Sequence, residues 1–306
     1  MIGIVIRQTL VMFLYMMIGF LLFRTRKITA AGSRELGTLL LWLVIPAVII
    51  NSFCVEFSLE KLRALLVSGA LGAAALVLAM LVAKLIFPKC PIDQFAAAFS
   101  NAGFMGIPIV QAALGTEAVF YMAGFTALLN ILQWTYGVWV LSGDVSAIKP
   151  KKAVGNPIFL GTVIGVVLFC TGLGTHLPDV AMTAIKGVAS LNAPMAMMVL
   201  GVYLAQADNR LLLSTPRLYL LCFVRLLLIP ALTLGLLLLV PAEQSLRYAV
   251  LIAAAAPVGA NVAVYAQQLD LDYPYACQTV ALSTVFSILS FPLILAAAQY
   301  ILQFGR

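Results

Sequence analysis

Two short stretches place amides, glycines and prolines inside apolar runs. The first is Ser100-Asn101-Ala102-Gly103-Phe104-Met105-Gly106-Ile107-Pro108 and the second is Pro257-Val258-Gly259-Ala260-Asn261. A proline in a helix interior removes one backbone donor and crowds the carbonyl four residues back, at about 3 kcal/mol. In hydrocarbon each freed group costs several kcal/mol more unless protein, side chains or water satisfy it. Breaks of this kind are therefore buried in protein or line a cavity. Paired breaks in corresponding positions of two halves mark a solute site at mid-membrane.

The chemistry such breaks offer is electrostatic. The helical piece after a break starts with bare N–H groups and a positive dipole end; the piece before it ends in bare carbonyls. The N–H ends suit a carboxylate, and the carbonyl ends suit Na⁺ or a proton-bearing group. Asn101 and Asn261 each donate and accept, so either can hold a substrate or stitch its break together. The candidate solute-contacting residues at the two breaks are Asn101, Gly103, Pro108, Pro257, Gly259 and Asn261, with Pro108 and Pro257 expected at the crossing itself. Asn130 and Gln133, on one helix face, and Ser283 are a second line of candidates. Asn51 and Asn192, which follow or precede Pro46 and Pro194, form a third. Arg225 is the one charge well inside an apolar run. Such a charge is a functional hypothesis by default: it could attract an anion, pair locally or snorkel outward.

What is missing narrows the chemistry. The eleven acidic residues fall at or near predicted helix ends, whereas a cation antiporter keeps a carboxylate at its crossing. With asparagines there instead, the site prefers anions. No intramembrane Asp pair, Ser–His pair or H-E-x-x-H motif is present, so no enzyme is expected. His176, the lone histidine, falls in a loop, and the five cysteines (Cys54, Cys90, Cys170, Cys222, Cys277) are scattered packing residues. No metal and no cofactor is expected; coupling to Na⁺ or H⁺ stays open.

The elements that position these residues follow from composition. The chain of 306 residues is 63% hydrophobic and 9% charged, against about 25% charged in soluble domains. Ten segments approach the ~20 residues that cross a bilayer. The fold class is an all-α polytopic membrane protein with ten transmembrane helices. The net charge of +7 sits at helix ends rather than in one patch, so the bilayer, not nucleic acid, is the partner it implies.

Predicted helix 4 (about 94–114) carries the first break and helix 9 (about 246–269) the second. Pro46 and Pro194 are 148 residues apart, Pro108 and Pro257 are 149. These landmarks divide the chain into five-helix units at 1–153 and 154–306. An odd number of helices per unit makes the two units inverted repeats. Eleven Lys and Arg collect on one side and six on the other. The positive-inside rule then puts the loops after helices 1, 3, 5, 7 and 9 in the cytoplasm and both termini outside.

The residues at the breaks, with Asn130…Trp134-Thr135-Tyr136-Gly137-Val138 and Ser283-Thr284…Ser287…Phe291-Pro292, resemble the auxin efflux carrier family of bacterial and plant transporters. The resemblance covers the whole chain. It implies helices 4 and 9 crossing at their prolines, a dimerising scaffold from helices 1, 2, 6 and 7, and a mobile transport domain from the other six. Plant members export an auxin carboxylate and carry a long loop between helices 5 and 6. The short link here is of the compact bacterial type, which is associated with small carboxylates such as malonate and malate. The expected function is a secondary carrier of a small organic anion in the cytoplasmic membrane, working by an elevator motion with substrate at the helix 4/9 crossing. The alternatives are a Na⁺- or H⁺-coupled carrier of another small solute, a channel, or a transport-derived sensor.

Overall fold

The computed structural model describes residues 2–148, 151, 154–206 and 215–304, with side chains to residue 301. Lys149, Lys152, Asp208, Arg210 and Arg306, which enter the charge reading, lie outside the described residues.

Every named element among the described residues is helical, and strand-like pairing is confined to one isolated bridge. Among the described residues, seven stretches are long and apolar enough to cross a membrane: Ile2–Arg24, Ala30–Phe53, Leu59–Ile86, Thr116–Ser142, Asp179–Gln206, Pro216–Leu238 and Tyr273–Ile301. Pro157–Thr171 is apolar but shorter. The two remaining rods are divided, Pro91–Ala98 from Ala102–Leu114 and Gln244–Ala255 from Asn261–Gln268. Leucines such as Leu14, Leu66, Leu85, Leu289 and Leu293 stand exposed on the outer helices, a surface that lipid, not water, would cover. The chain is a multi-pass membrane protein.

Close helix crossings depend on glycine. A Cβ at Gly19 would fall on the Met198 backbone, and one at Gly201 on the Met16 backbone. Ile2–Arg24 and Asn192–Gln206 therefore touch main chain to main chain. Gly161 lies against the Pro46 backbone and ring, and Gly165 against the Phe53 side chain, bringing Pro157–Thr171 onto Ile45–Phe53. Small residues at such contacts are what membrane helices use to approach closely.

Prolines inside these helices are absorbed rather than broken around. Wide turns with hydrogen bonds to the fifth residue back occupy Leu40–Val44, Ala102–Gly106 and Val224–Leu228. Each ends at an Ile-Pro pair: Ile45-Pro46, Ile107-Pro108 and Ile229-Pro230. A proline ring crowds the carbonyl four residues before it, and one extra residue in the turn moves that carbonyl aside. A fourth wide turn, Gln133–Gly137, has no proline.

This corrects the reading of Pro108. It sits at the second position of the Ile107–Leu114 helix, eight residues beyond the centre of the break at Ser100, and does not form the crossing. Pro257 lies within its own break. The equal spacing of Pro46/Pro194 and Pro108/Pro257 is thus not a structural equivalence for the second pair.

Candidate functional site

The two divided rods meet at their gaps. The Asn101 N–H donates to the Pro257 carbonyl at 2.8 Å, and the Gly259 N–H donates to the Phe99 carbonyl at 3.0 Å. Ser100 and Val258 face each other across this antiparallel pair. Each gap so satisfies polar backbone that the other has freed, which is what hydrocarbon demands. The Val258 N–H donates to Ser283 Oγ at 3.1 Å, so the Tyr273–Phe304 helix closes the second gap. Gly259 is fixed by this approach: a Cβ there would lie 3.1 Å from the Ser100 carbonyl oxygen and 3.3 Å from that of Phe99.

Arg225 lies at the carbonyl ends of both first pieces. Its guanidinium donates to Ala97 (2.9 Å), Ala98 (3.4 Å), Ala254 and Ala256 (3.1 Å). The side chain is fully buried, so it does not snorkel. Burying an unpaired cation costs several kcal/mol. Hydrogen bonds from a charged donor contribute about 1.5–3 kcal/mol each, and two helix C-termini favour a cation in addition. Four carbonyl acceptors outweigh the desolvation cost. Asp93, the one buried acid among the described residues, is taken up elsewhere. It pairs with Arg217 Nε at 2.8 Å and accepts from the Tyr275 hydroxyl at 2.5 Å. This cluster ties together the starts of three helices, and among the described residues no free carboxylate stands at the crossing.

The opposite side of the crossing presents the starts of the second pieces. A cavity of about 30 Å³ is lined there by Ser100, Asn101, Gly103, Asn130, Gln133, Gly259 and Asn261, with Phe104 and Ala260 among its walls. It has space for roughly one or two waters, too little for a carboxylate. Asn261 donates to Gln133 Oε1 at 2.7 Å. Asn101 Nδ2 and Ser100 Oγ are buried without a partner. Asn130 donates to the Thr126 carbonyl at 2.8 Å, and its Oδ1 is 3.5 Å from Asn156, the residue capping Pro157–Thr171.

Leu41, Phe104, Ala260 and Asn261 also line an adjoining vestibule of about 450 Å³. That volume lies within the range of small-ligand sites, ~300–1,000 Å³. Its described walls carry one cation, Arg34, no acid, the amides Gln206, Gln267 and Gln268, and the phenols Tyr203 and Tyr273. A second cavity, about 460 Å³, opens at the other ends of the helices, with Asn51, Cys54, Gln111, Glu117 and Lys186 in its wall. It shares no lining residue with the crossing cavity. Burial pushes the Cys54 thiol up from its ordinary value, against the pull of Lys186, so it stays a neutral wall group.

Of the sequence candidates, the small cavity gathers Asn101, Gly103, Asn130, Gln133, Gly259 and Asn261. Pro257 and Ser283 hold the backbone behind them. Pro108 lies apart from the gap, Asn51 faces the far cavity, and Asn192 is buried with neither amide atom partnered. Sequence reasoning missed the Ser100–Val258 pairing, the vestibule residues Arg34 and Gln206, and the carbonyl partners of Arg225. The Ile-Pro pairs were the available signal for the wide turns; backbone pairing between distant gaps leaves none.

Helical rods crossing at paired gaps, beside a vestibule open to one face, define a membrane transport protein. A family model described as membrane transport protein matches residues 4–295, and the chain belongs to that family, the auxin efflux carriers. An uncharacterized transporter of Methanothermobacter thermautotrophicus (strain Delta H) is 30% identical over 203 residues. The match covers 65% of this chain and 65% of that relative, just under two thirds of its length.

Proposed function

We propose that the protein is a secondary carrier of a small organic anion, a mono- or dicarboxylate such as malonate or malate or an auxin-like acid. The substrate binds at the crossing of the two divided rods. The observation that carries this reading is the vestibule, whose described walls hold Arg34 and no acid and which ends at the starts of two helical pieces and the unpartnered Asn101 amide. N–H groups, positive dipole ends and one guanidinium together favour negative charge. The crossing cavity is too small for substrate as it stands, so loading requires it to open toward the vestibule.

In this reading the seven long stretches, Pro157–Thr171 and the two divided rods make ten crossings in two inverted five-helix units. Reciprocal packing supports that: Ile2–Arg24 lies against Asn192–Gln206 as Pro157–Thr171 lies against Ile45–Phe53. The reciprocal bonds of the bridge support it too. The chain sits in the cytoplasmic membrane with its termini outside, and the vestibule opens to the cytoplasm. The first two helices of each unit form a scaffold that dimerises, and the remaining six move as an elevator. Communication of the crossing with one face but not the other is the arrangement expected of alternating access.

Uptake of radiolabelled malonate and malate into proteoliposomes tests this. A carrier saturates with substrate, and Asn101→Ala and Asn261→Ala abolish uptake while leaving the protein folded. Flux that rises without saturation would indicate a channel, and normal uptake by both variants would make the crossing structural only.

A further inference from the structure

Half-helix carbonyl ends in a membrane carrier are ordinarily the place where a coupling Na⁺ is coordinated. Here that place is filled by the protein itself. Ala97 and Ala98 end one first piece, and Ala254 and Ala256 lie at the end of the other. All four carbonyls face the guanidinium of Arg225. Among the described residues its partners are carbonyls, not carboxylates. The planar fork of an arginine suits this geometry, since Nε, Nη1 and Nη2 reach two chain segments at once. A lysine would offer three donors from one point.

We infer that Arg225 is a resident cation, holding the carbonyl cup of the crossing in place of an external Na⁺. It neutralises the two negative helix ends permanently and ties them together. The opposite side of the crossing is then left with positive ends alone, and the anion cycle runs without a cation bound in the cup. This rests on the anion-carrier reading for its consequence in transport, but the occupancy of the cup is testable without any substrate.

Thermal unfolding of the purified protein in detergent, without carboxylate, is the test. Wild type is expected to unfold at the same temperature in NaCl and in choline chloride of equal ionic strength. Arg225→Ala is expected to unfold several degrees lower and to be restored by millimolar methylguanidinium, but not by tetramethylammonium. A side chain that served only to fill space there would show no such selective rescue. Saturable stabilisation of wild type by Na⁺ overturns the inference, as does a folded Arg225→Ala that ignores methylguanidinium. Should Arg225→Ala fail to fold, Arg225→Lys decides. Transport indifferent to Na⁺, with KM raised and kcat less affected, supports a resident charge; Na⁺-stimulated transport by that variant overturns it. Failure of every carboxylate to bind wild type, with methylguanidinium rescue intact, would remove the anion reading and leave the resident cation standing.

Discussion

The first rod breaks seven to nine residues before its proline, while the second breaks around its proline. In the first, Phe99 runs extended and Ser100 pairs with Val258, and Pro108 is accommodated two turns later by the wide turn Ala102–Gly106. In the second, Ala256 is extended with ψ of 147°, the conformation that a following proline imposes. The amides differ as well. Asn261 is held by Gln133, whereas Asn101 Nδ2 has no partner. Arg225 reaches the carbonyls before both gaps, but beyond it one gap is locked by side chains and a proline, the other by the backbone bonds it shares with its neighbour. The free amide sits on the less constrained side, which is where a substrate can gain a hydrogen bond without displacing one.

The sharpest way to break this comparison is at the shared backbone pair. Gly259→Val should destabilise most, by about 3 kcal/mol or more from overpacking, because its Cβ would lie 3.1 Å from the Ser100 carbonyl oxygen. Gly103→Ala should unfold like wild type, since a Cβ there would rest in ordinary contact 3.6 Å from Ile45 Cδ1. Thermal unfolding of both variants checks the pair, and equal losses would contradict it.

Next comes the locked amide. Gln133→Leu strands the Asn261 side chain and should cost about 1–3 kcal/mol. The double variant with Asn261→Leu should cost less than the sum of the single changes, and a double-mutant cycle measures the difference. Asn101→Ala breaks no hydrogen bond of its Nδ2, so its stability should stay within about 1 kcal/mol of wild type while uptake is lost.

The smallest effect is expected at the first rod's proline. Pro108→Ala should change stability by about 0.4–1 kcal/mol, because the wide turn already supplies the room. Pro257→Ala should lower uptake more, since Ala256 is released from its extended preference. Equal effects would mean that the two gaps are built alike.

Much of this was legible from residue types. Composition and segment length mark the apolar spans, and asparagines beside glycines mark both gaps. Six of the candidates do line one cavity. Pro108 misleads because a proline signals a local problem without saying how the helix solves it. A break and a wide turn relieve the same clash. Arg225 was visible as a buried charge, but its acceptors are backbone carbonyls of alanines, which no side-chain pattern announces. Arg34 stands near a helix start and reads as one more membrane-surface cation until Gln206 and Tyr273 are brought beside it.

The most direct measurement is thermal stabilisation of the purified protein by a panel of mono- and dicarboxylates, on wild type and on Asn101→Ala. A ligand that binds only the folded state adds about 2.7 kcal/mol at a hundredfold excess over its dissociation constant. The account predicts a shift by at least one carboxylate in wild type and its loss in Asn101→Ala, with no requirement for Na⁺. A shift produced by Na⁺ or an amine, and by no anion, would contradict it.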